Sequence, residues 1–328
     1  MKKYLLPVIF FLILLITLPS ICAQGARFGL TLWFNTIIPT LFPFILMTNL
    51  LRDLHGIDFL ERIFAPIITR LFKTDKSGAY PVVLGFLCGY PMGAKAVSDS
   101  YSLGRISQRQ ALYLLTFVNN PSPVYMISYV ADFTLNSSRL ALWIVAVSLI
   151  SSLVAARLIH PFFTRTLPWE RKPRKAQSLT LKAQSADHLP DQNAHVQKND
   201  TASGNLLDTS IVSACELLVK IGGYMILFSI LSQCIAAIPG ISPLAAGLIA
   251  GLLEQTTGLG LLQQMRLPLE IKTVLAMGFI CFGGLSILAQ TSSVIHRQGL
   301  SVKYCILGKI LTAFLAMALM TAVLTFTG

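Results

Sequence analysis

Charge is scarce in this chain. Only 12% of its 328 residues are Asp, Glu, Lys or Arg, against about 25% in a soluble domain. That shortage excludes an ordinary water-soluble fold. Acidic residues are the rarer sign, 14 against 26 basic ones. The resulting net charge of +12 would suit nucleic acid, yet the basic residues flank apolar runs, so a positive-inside bias explains it and no nucleic acid is expected. No GxxxxGK run occurs, so no P-loop is there to use ATP. HExxH is absent, and no Asp pair lies inside an apolar run. The six cysteines (22, 88, 215, 234, 281 and 305) form no CxxC. They read as small core residues rather than a disulfide framework or metal site. His188 and His195 sit in a polar tract, and His55, His160 and His296 near the ends of apolar runs. An enzyme reading therefore has little support, and neither metal nor cofactor is expected.

What is there instead is apolar length. Hydrophobic residues make up 54% of the chain. Tyr4–Ala26 and Phe28–Leu51 are uncharged and each is long enough to cross a roughly 30 Å hydrocarbon core. Lys2 and Lys3 precede the first run, which resembles a signal peptide. An uncleaved first helix with a cytoplasmic N-terminus is expected, because a second span follows at once. Residues 52–78 interleave Arg52, Arg62, Arg70, Lys73 and Lys76 with apolar residues at helical spacing. That pattern predicts an amphipathic interfacial helix.

Residues 79–163 then depart from plain spans. Gly85, Gly89, Pro91 and Gly93 crowd a segment too short to cross, which predicts a re-entrant hairpin. Ser107 reads as the N-cap of a helix from about Gln108. That helix is expected to break at Asn119–Pro123 and to resume to Val130. A simple span, Leu140–Ile159, follows. Residues 164–208 are polar, and Arg157–Lys175 holds six Lys or Arg against one Glu. A disordered cytoplasmic linker is expected there. Residues 209–328 open with a span carrying Glu216 and Lys220, an i, i+4 ion pair. A second Gly-rich hairpin follows, with a polar centre at Glu254, Gln255, Thr256 and Thr257. A helix interrupted at Gly283–Gly284 and a last span complete the chain, with Lys309 near enough to its start to snorkel.

Both halves thus share one plan: a short hairpin, a polar connection, then a broken helix. The charge pattern brings the first hairpin in from the cytoplasm and the second from outside. The fold class expected is an all-α polytopic membrane protein of two inverted-topology repeats, each with a re-entrant hairpin and a broken transmembrane helix. About seven spans should accompany the hairpins. The chain divides into N-terminal spans (1–51), interfacial helix (52–78), first repeat (79–163), linker (164–208) and second repeat (209–328).

Candidate binding residues gather at the breaks, because irregular backbone at membrane depth needs protein or water partners. They are Gly89, Tyr90, Pro91, Gly93 and Lys95 in the first hairpin, and Asn119, Asn120 and Ser122 in the first broken helix. Glu254, Gln255, Thr256 and Thr257 occupy the second hairpin, and Gly283, Gly284, Ser286 and Gln290 the second broken helix. Each has a plain alternative. Glu254 could take a proton or coupling cation, or cap a helix. Lys95 could meet a substrate carboxylate or snorkel. The amides and hydroxyls could bond substrate or satisfy freed carbonyls, and the glycines could serve helix packing.

GFLCGYPMGAK, FVNNPSP, GLLEQTTG and FGGLSILAQ, in that order, resemble the motifs of the sporulation integral membrane protein family of the YlbJ type, whose members carry a nucleoside-recognition, or Gate, domain. The resemblance implies a multi-pass transporter of the bacterial inner membrane, with dipicolinic acid as proposed solute during spore formation. A nucleoside or other small-metabolite carrier and a non-transporting membrane scaffold are the alternatives. The partners expected are a dipicolinate-like or nucleoside-like solute, the lipid bilayer and a coupling ion, H+ or Na+, with homo-oligomerisation left open.

Overall fold

The computed structural model describes residues 2–54, 56–166 and 202–327, whose regular elements are all helical, with no strand among them. The N-terminal part holds α1 (Lys2–Thr17), α2 (Pro19–Leu32), a π-helical turn at Trp33–Ile37 and α3 (Ile38–Asp53). Here the expected boundary moves. The first helix stops at Thr17 rather than Ala26, because Pro19 has no N–H to continue it and pushes Leu18 out of helical geometry (φ −127°). From Pro19 the chain then runs as one apolar stretch of 35 residues to Asp53. The π turn falls just before Pro39, where another amide donor is missing.

α4 (Ile57–Phe72) is the amphipathic helix. Phe59, Ile63 and Ile67 point outward. Its two ends are held by cations. Arg105 bonds Asp58 and, at 2.9 Å, Glu61. Arg157 donates to the carbonyls of Arg70 (2.7 Å) and Leu71 at the C-terminus, where a positive charge meets the helix dipole.

The first hairpin is α5 (Ala79–Leu87) and α6 (Met92–Ser102). α7 (Gln108–Leu115) follows, with Ser107 accepting the Gln110 N–H at 3.2 Å as its cap. After the break, α8 (Pro123–Tyr125) widens into a π-helix over Met126–Thr134. Tyr125, Tyr129 and Phe133 stack along it with ring centroids 5.2 Å apart. α9 (Ala141–Thr166) and α10 (Ala202–Ala236) bring helix into both margins of the expected linker. Its remainder, 167–201, lies outside the described residues. Glu216 and Lys220 do pair, at 3.7 Å.

The second hairpin is α11 (Pro243–Leu253) and α12 (Gln255–Gln264). α13 (Leu269–Phe282) and α14 (Gly284–Ile295) are two pieces of one broken helix, and α15 (Lys303–Thr327) ends the chain. Where about seven spans were expected, five helices among the described residues are long and apolar enough to cross a membrane. The difference arises because residues 19–53 form one unit, α1 is short, and the segment from α7 to the π-helix is interrupted. At about 1.5 Å per residue the four hairpin helices are only about 13–17 Å long, half of a hydrocarbon core.

Candidate functional site

Each hairpin turns on a residue that its partner broken helix requires. Gly89 has φ +83°, and a Cβ there would lie 2.7 Å from the Ser122 nitrogen, so only glycine lets this turn abut the break at Asn119–Pro123. The Tyr90–Pro91 peptide beside it is cis. In the second half Gly283 has φ +86°, and a Cβ on Gly284 would sit 3.0 Å from the Leu253 carbonyl oxygen. The second turn therefore abuts the second break in the same way. The two tips also join each other, the Gln255 amide donating to the Tyr90 hydroxyl, and the Tyr129 hydroxyl of the π-helix donates to the Thr256 carbonyl at 3.2 Å.

Glu254 sits at the turn and is 2% exposed. Its carboxylate accepts the Thr257 N–H (2.7 Å) and hydroxyl (2.9 Å), the Thr256 N–H (3.2 Å) and the Thr256 hydroxyl. It is thus the N-cap of α12, the plainer of the two readings open to it, and it does so at the cavity wall. Thr257 in turn shares a hydrogen bond of 3.0 Å with Ser229 of α10.

Asn119 donates to the Thr291 hydroxyl at 2.7 Å, tying one broken helix to the other. Asn120 donates to the Phe117 carbonyl and accepts from Ser152 at 3.0 Å. Ser122 caps α8 through the Tyr125 N–H, 3.3 Å away. Gln290 donates to Ser286 at 3.2 Å. These bonds leave several buried side-chain groups at the breaks unpaired. Among the described residues, Asn119 Oδ1, Gln255 Oε1, Gln290 Oε1, the Tyr125 hydroxyl and Lys309 Nζ are buried without a hydrogen-bond partner.

A small cavity of about 30 Å³ lies beside the tips, against α3 and α10, room for a water molecule rather than a solute. Of the candidate residues, Gly89, Tyr90, Ser122, Glu254, Gln255, Thr256 and Gln290 line it. Asn119, Asn120, Thr257 and Ser286 are buried but not in its wall, and Gly283 and Gly284 shape the second break. Pro91 and Gly93 open α6, where Gly93 rests against the Val118 carbonyl. Lys95 is elsewhere. Its ammonium bonds Asp99 at 2.7 Å, Arg52 joins the same carboxylate at 3.5 Å, and the cluster lines a separate pocket with Asn49 and Tyr80. The i, i+4 spacing of Lys95 and Asp99 was the signal for that pair. Tyr125 was not singled out by the sequence, and Lys309 was read there only as a snorkelling side chain, whereas it is buried. No group of three or more His, Cys, Asp or Glu able to hold a metal occurs among the described residues.

Residues 34–158 match the Gate family model, described as nucleoside recognition, which takes in the first hairpin and the first break. No solved structure matches. The chain is also 21% identical, over 322 residues covering 92% of it and 78% of the relative, to the sporulation integral membrane protein YlbJ of Bacillus subtilis strain 168. The four motifs and these two likenesses agree: the chain is an integral membrane protein, helical in its described elements, with a segment that matches the Gate nucleoside-recognition model and with similarity over most of its length to a sporulation integral membrane protein of the YlbJ type.

Proposed function

We propose that the protein is a carrier that moves a small organic solute across the cell membrane, with its N-terminus in the cytoplasm. The observation that carries this reading is the meeting of two hairpin tips, each seated in a broken helix, beside a small cavity whose mostly apolar wall carries Tyr90, Ser122, Glu254, Gln255 and Gln290. Hairpin helices of about 13–17 Å end near the bilayer midplane if they enter from opposite faces. Paired helix breaks at that depth are how secondary transporters build a solute site. In this reading the two halves are inverted repeats and both hairpins are re-entrant. The cavity, too small for a solute, is the closed state. Admitting one requires the Tyr90–Gln255 bond between the tips to open.

The solute favoured by the resemblance to the YlbJ-type family is dipicolinate. The nucleoside-recognition description of the matching segment favours a nucleoside as the second reading. Glu254 and the free amide oxygens of Gln255 and Gln290 are the groups that a coupling cation would meet. Flux of radiolabelled dipicolinate and uridine into vesicles holding the purified protein tests the proposal. Uptake of one above the rate of empty vesicles is expected. If monodisperse, correctly inserted protein moves neither, the carrier reading fails.

A further inference from the structure

Lys309 is the least accounted-for charge in the molecule. It is 2% exposed on α15, and its ammonium has no hydrogen-bond partner. Among the described residues no carboxylate lies within ion-pair distance of it, whereas Lys95, Arg52 and Arg105 all have one. Its ammonium lies over the ring of Tyr90, 5.2 Å from Nζ to the centroid, with the thiols of Cys281 and Cys305 also near it. That same ring lines the cavity and carries the hydroxyl that joins the two tips. Glu254, the other deeply buried ionisable group at the tips, differs sharply, because four donors surround its carboxylate. Two buried ionisable side chains thus contrast: Glu254 in the cavity wall is surrounded by donors, and Lys309, behind the Tyr90 ring and outside that wall, has no hydrogen-bond partner.

A lone ammonium out of water is costly unless a counter-charge arrives, and a π face compensates it only in part. We propose that Lys309 is the charge-selecting residue of the buried site, and that the solute it accepts is an organic anion whose carboxylate becomes the ammonium's counter-ion. This deepens the carrier reading and rests on it for the route by which the solute arrives. It also moves to Lys309 the role for which the sequence had offered Lys95. The Tyr90 ring must leave the ammonium for the carboxylate to take its place, so anion capture and separation of the tips draw on one side chain.

Thermal unfolding of the full-length protein in detergent tests this, with dipicolinate and benzoate as anionic probes and uridine as the neutral one. The wild type should be stabilised by at least one anion, with Lys309→Met binding it about thirtyfold more weakly or worse and Lys309→Arg keeping most of the affinity. Without ligand, Lys309→Met should melt no lower than the wild type, because it removes an unpaired charge of similar shape. Three results would overturn the proposal: no anion stabilises the wild type, the Met variant binds anions equally well, or ligand-free Lys309→Met melts well below both wild type and Lys309→Arg. The carrier reading is judged separately. Anion binding through Lys309 without flux would sink it and leave this inference standing, whereas uridine flux with indifference to carboxylates would do the reverse.

Discussion

Glu254→Gln is the substitution that most directly weighs the cap at the second hairpin. The carboxylate's two oxygens receive two backbone N–H groups and two hydroxyls, the Thr256 N–H on Oε1 and the Thr257 N–H on Oε2. An amide offers one oxygen and one NH2, so it must turn its NH2 toward one of those backbone donors. One buried N–H is then orphaned, costing about 1–3 kcal/mol. The lost negative charge at the start of α12 adds about 0.3–1 kcal/mol. The threonine hydroxyls can rotate and lose less. Removal of a buried charge works in the opposite direction, but four donors already stand where its water was. A net destabilisation of about 2–3 kcal/mol results, equivalent to a fall in melting temperature of roughly 5–10 °C. Glu254→Asp keeps the charge on a side chain well suited to capping and should recover most of that loss. Differential scanning fluorimetry of the purified variants in one detergent, at one scan rate, reads the difference. A Gln variant melting within about 1 °C of the wild type, or above it, would refute the reasoning, since a carboxylate replaceable at no cost is not holding the hairpin.

Two further outcomes follow from the packing. Gly308 of α15 passes so close to the Thr116 carbonyl that a Cβ would overlap it, and because both sides are backbone, Gly308→Val should lower stability by at least about 1–3 kcal/mol. Size-exclusion profiles after mild heating check it, and an unchanged profile would mean that α15 does not lie against the first break. Cys22 on α2 and Cys234 on α10 have their sulfurs 3.7 Å apart, so mild oxidation with copper phenanthroline should join these helices. After cleavage at a protease site engineered into residues 176–200, the two halves should remain linked on a non-reducing gel. Separation of the halves would contradict the pairing of α2 with α10.

Much of the site was legible because helix breaks are local chemistry. Gly89, Pro91, Pro121 and Gly283 interrupt helices through their own backbones, so the hairpins and broken helices could be placed from sequence. Glu254 followed by Gln-Thr-Thr likewise carried the cap as one of its two readings. What escaped was long-range. Lys309 lies six residues into α15 from Lys303, a depth of roughly 9 Å from which a lysine ordinarily reaches the interface. It is buried because α15 packs against α7, α9 and α13, and no local pattern announces that. The cross-helix partners of Tyr90 and Asn119 were invisible for the same reason. The π-helical turn over Met126–Thr134 was missed because its residues read as ordinary helix. Only the widened register distinguishes it, and that register is a backbone property without a residue signature.

The bonds between the tips set a timetable for biogenesis. Tyr90 meets its partner Gln255 across 165 residues of chain, and Asn119 meets Thr291 across 172. At roughly 5–20 residues per second of synthesis, the first hairpin waits about ten to thirty seconds for the side chains that complete it. Through that interval the Tyr90 hydroxyl and the Asn119 amide have to be satisfied by water, by the insertion machinery or by temporary bonds among neighbouring groups. A ribosome that stalls in the middle of the chain therefore releases a half-protein in which Tyr90 and Asn119 lack these partners, a natural mark for membrane quality-control proteases.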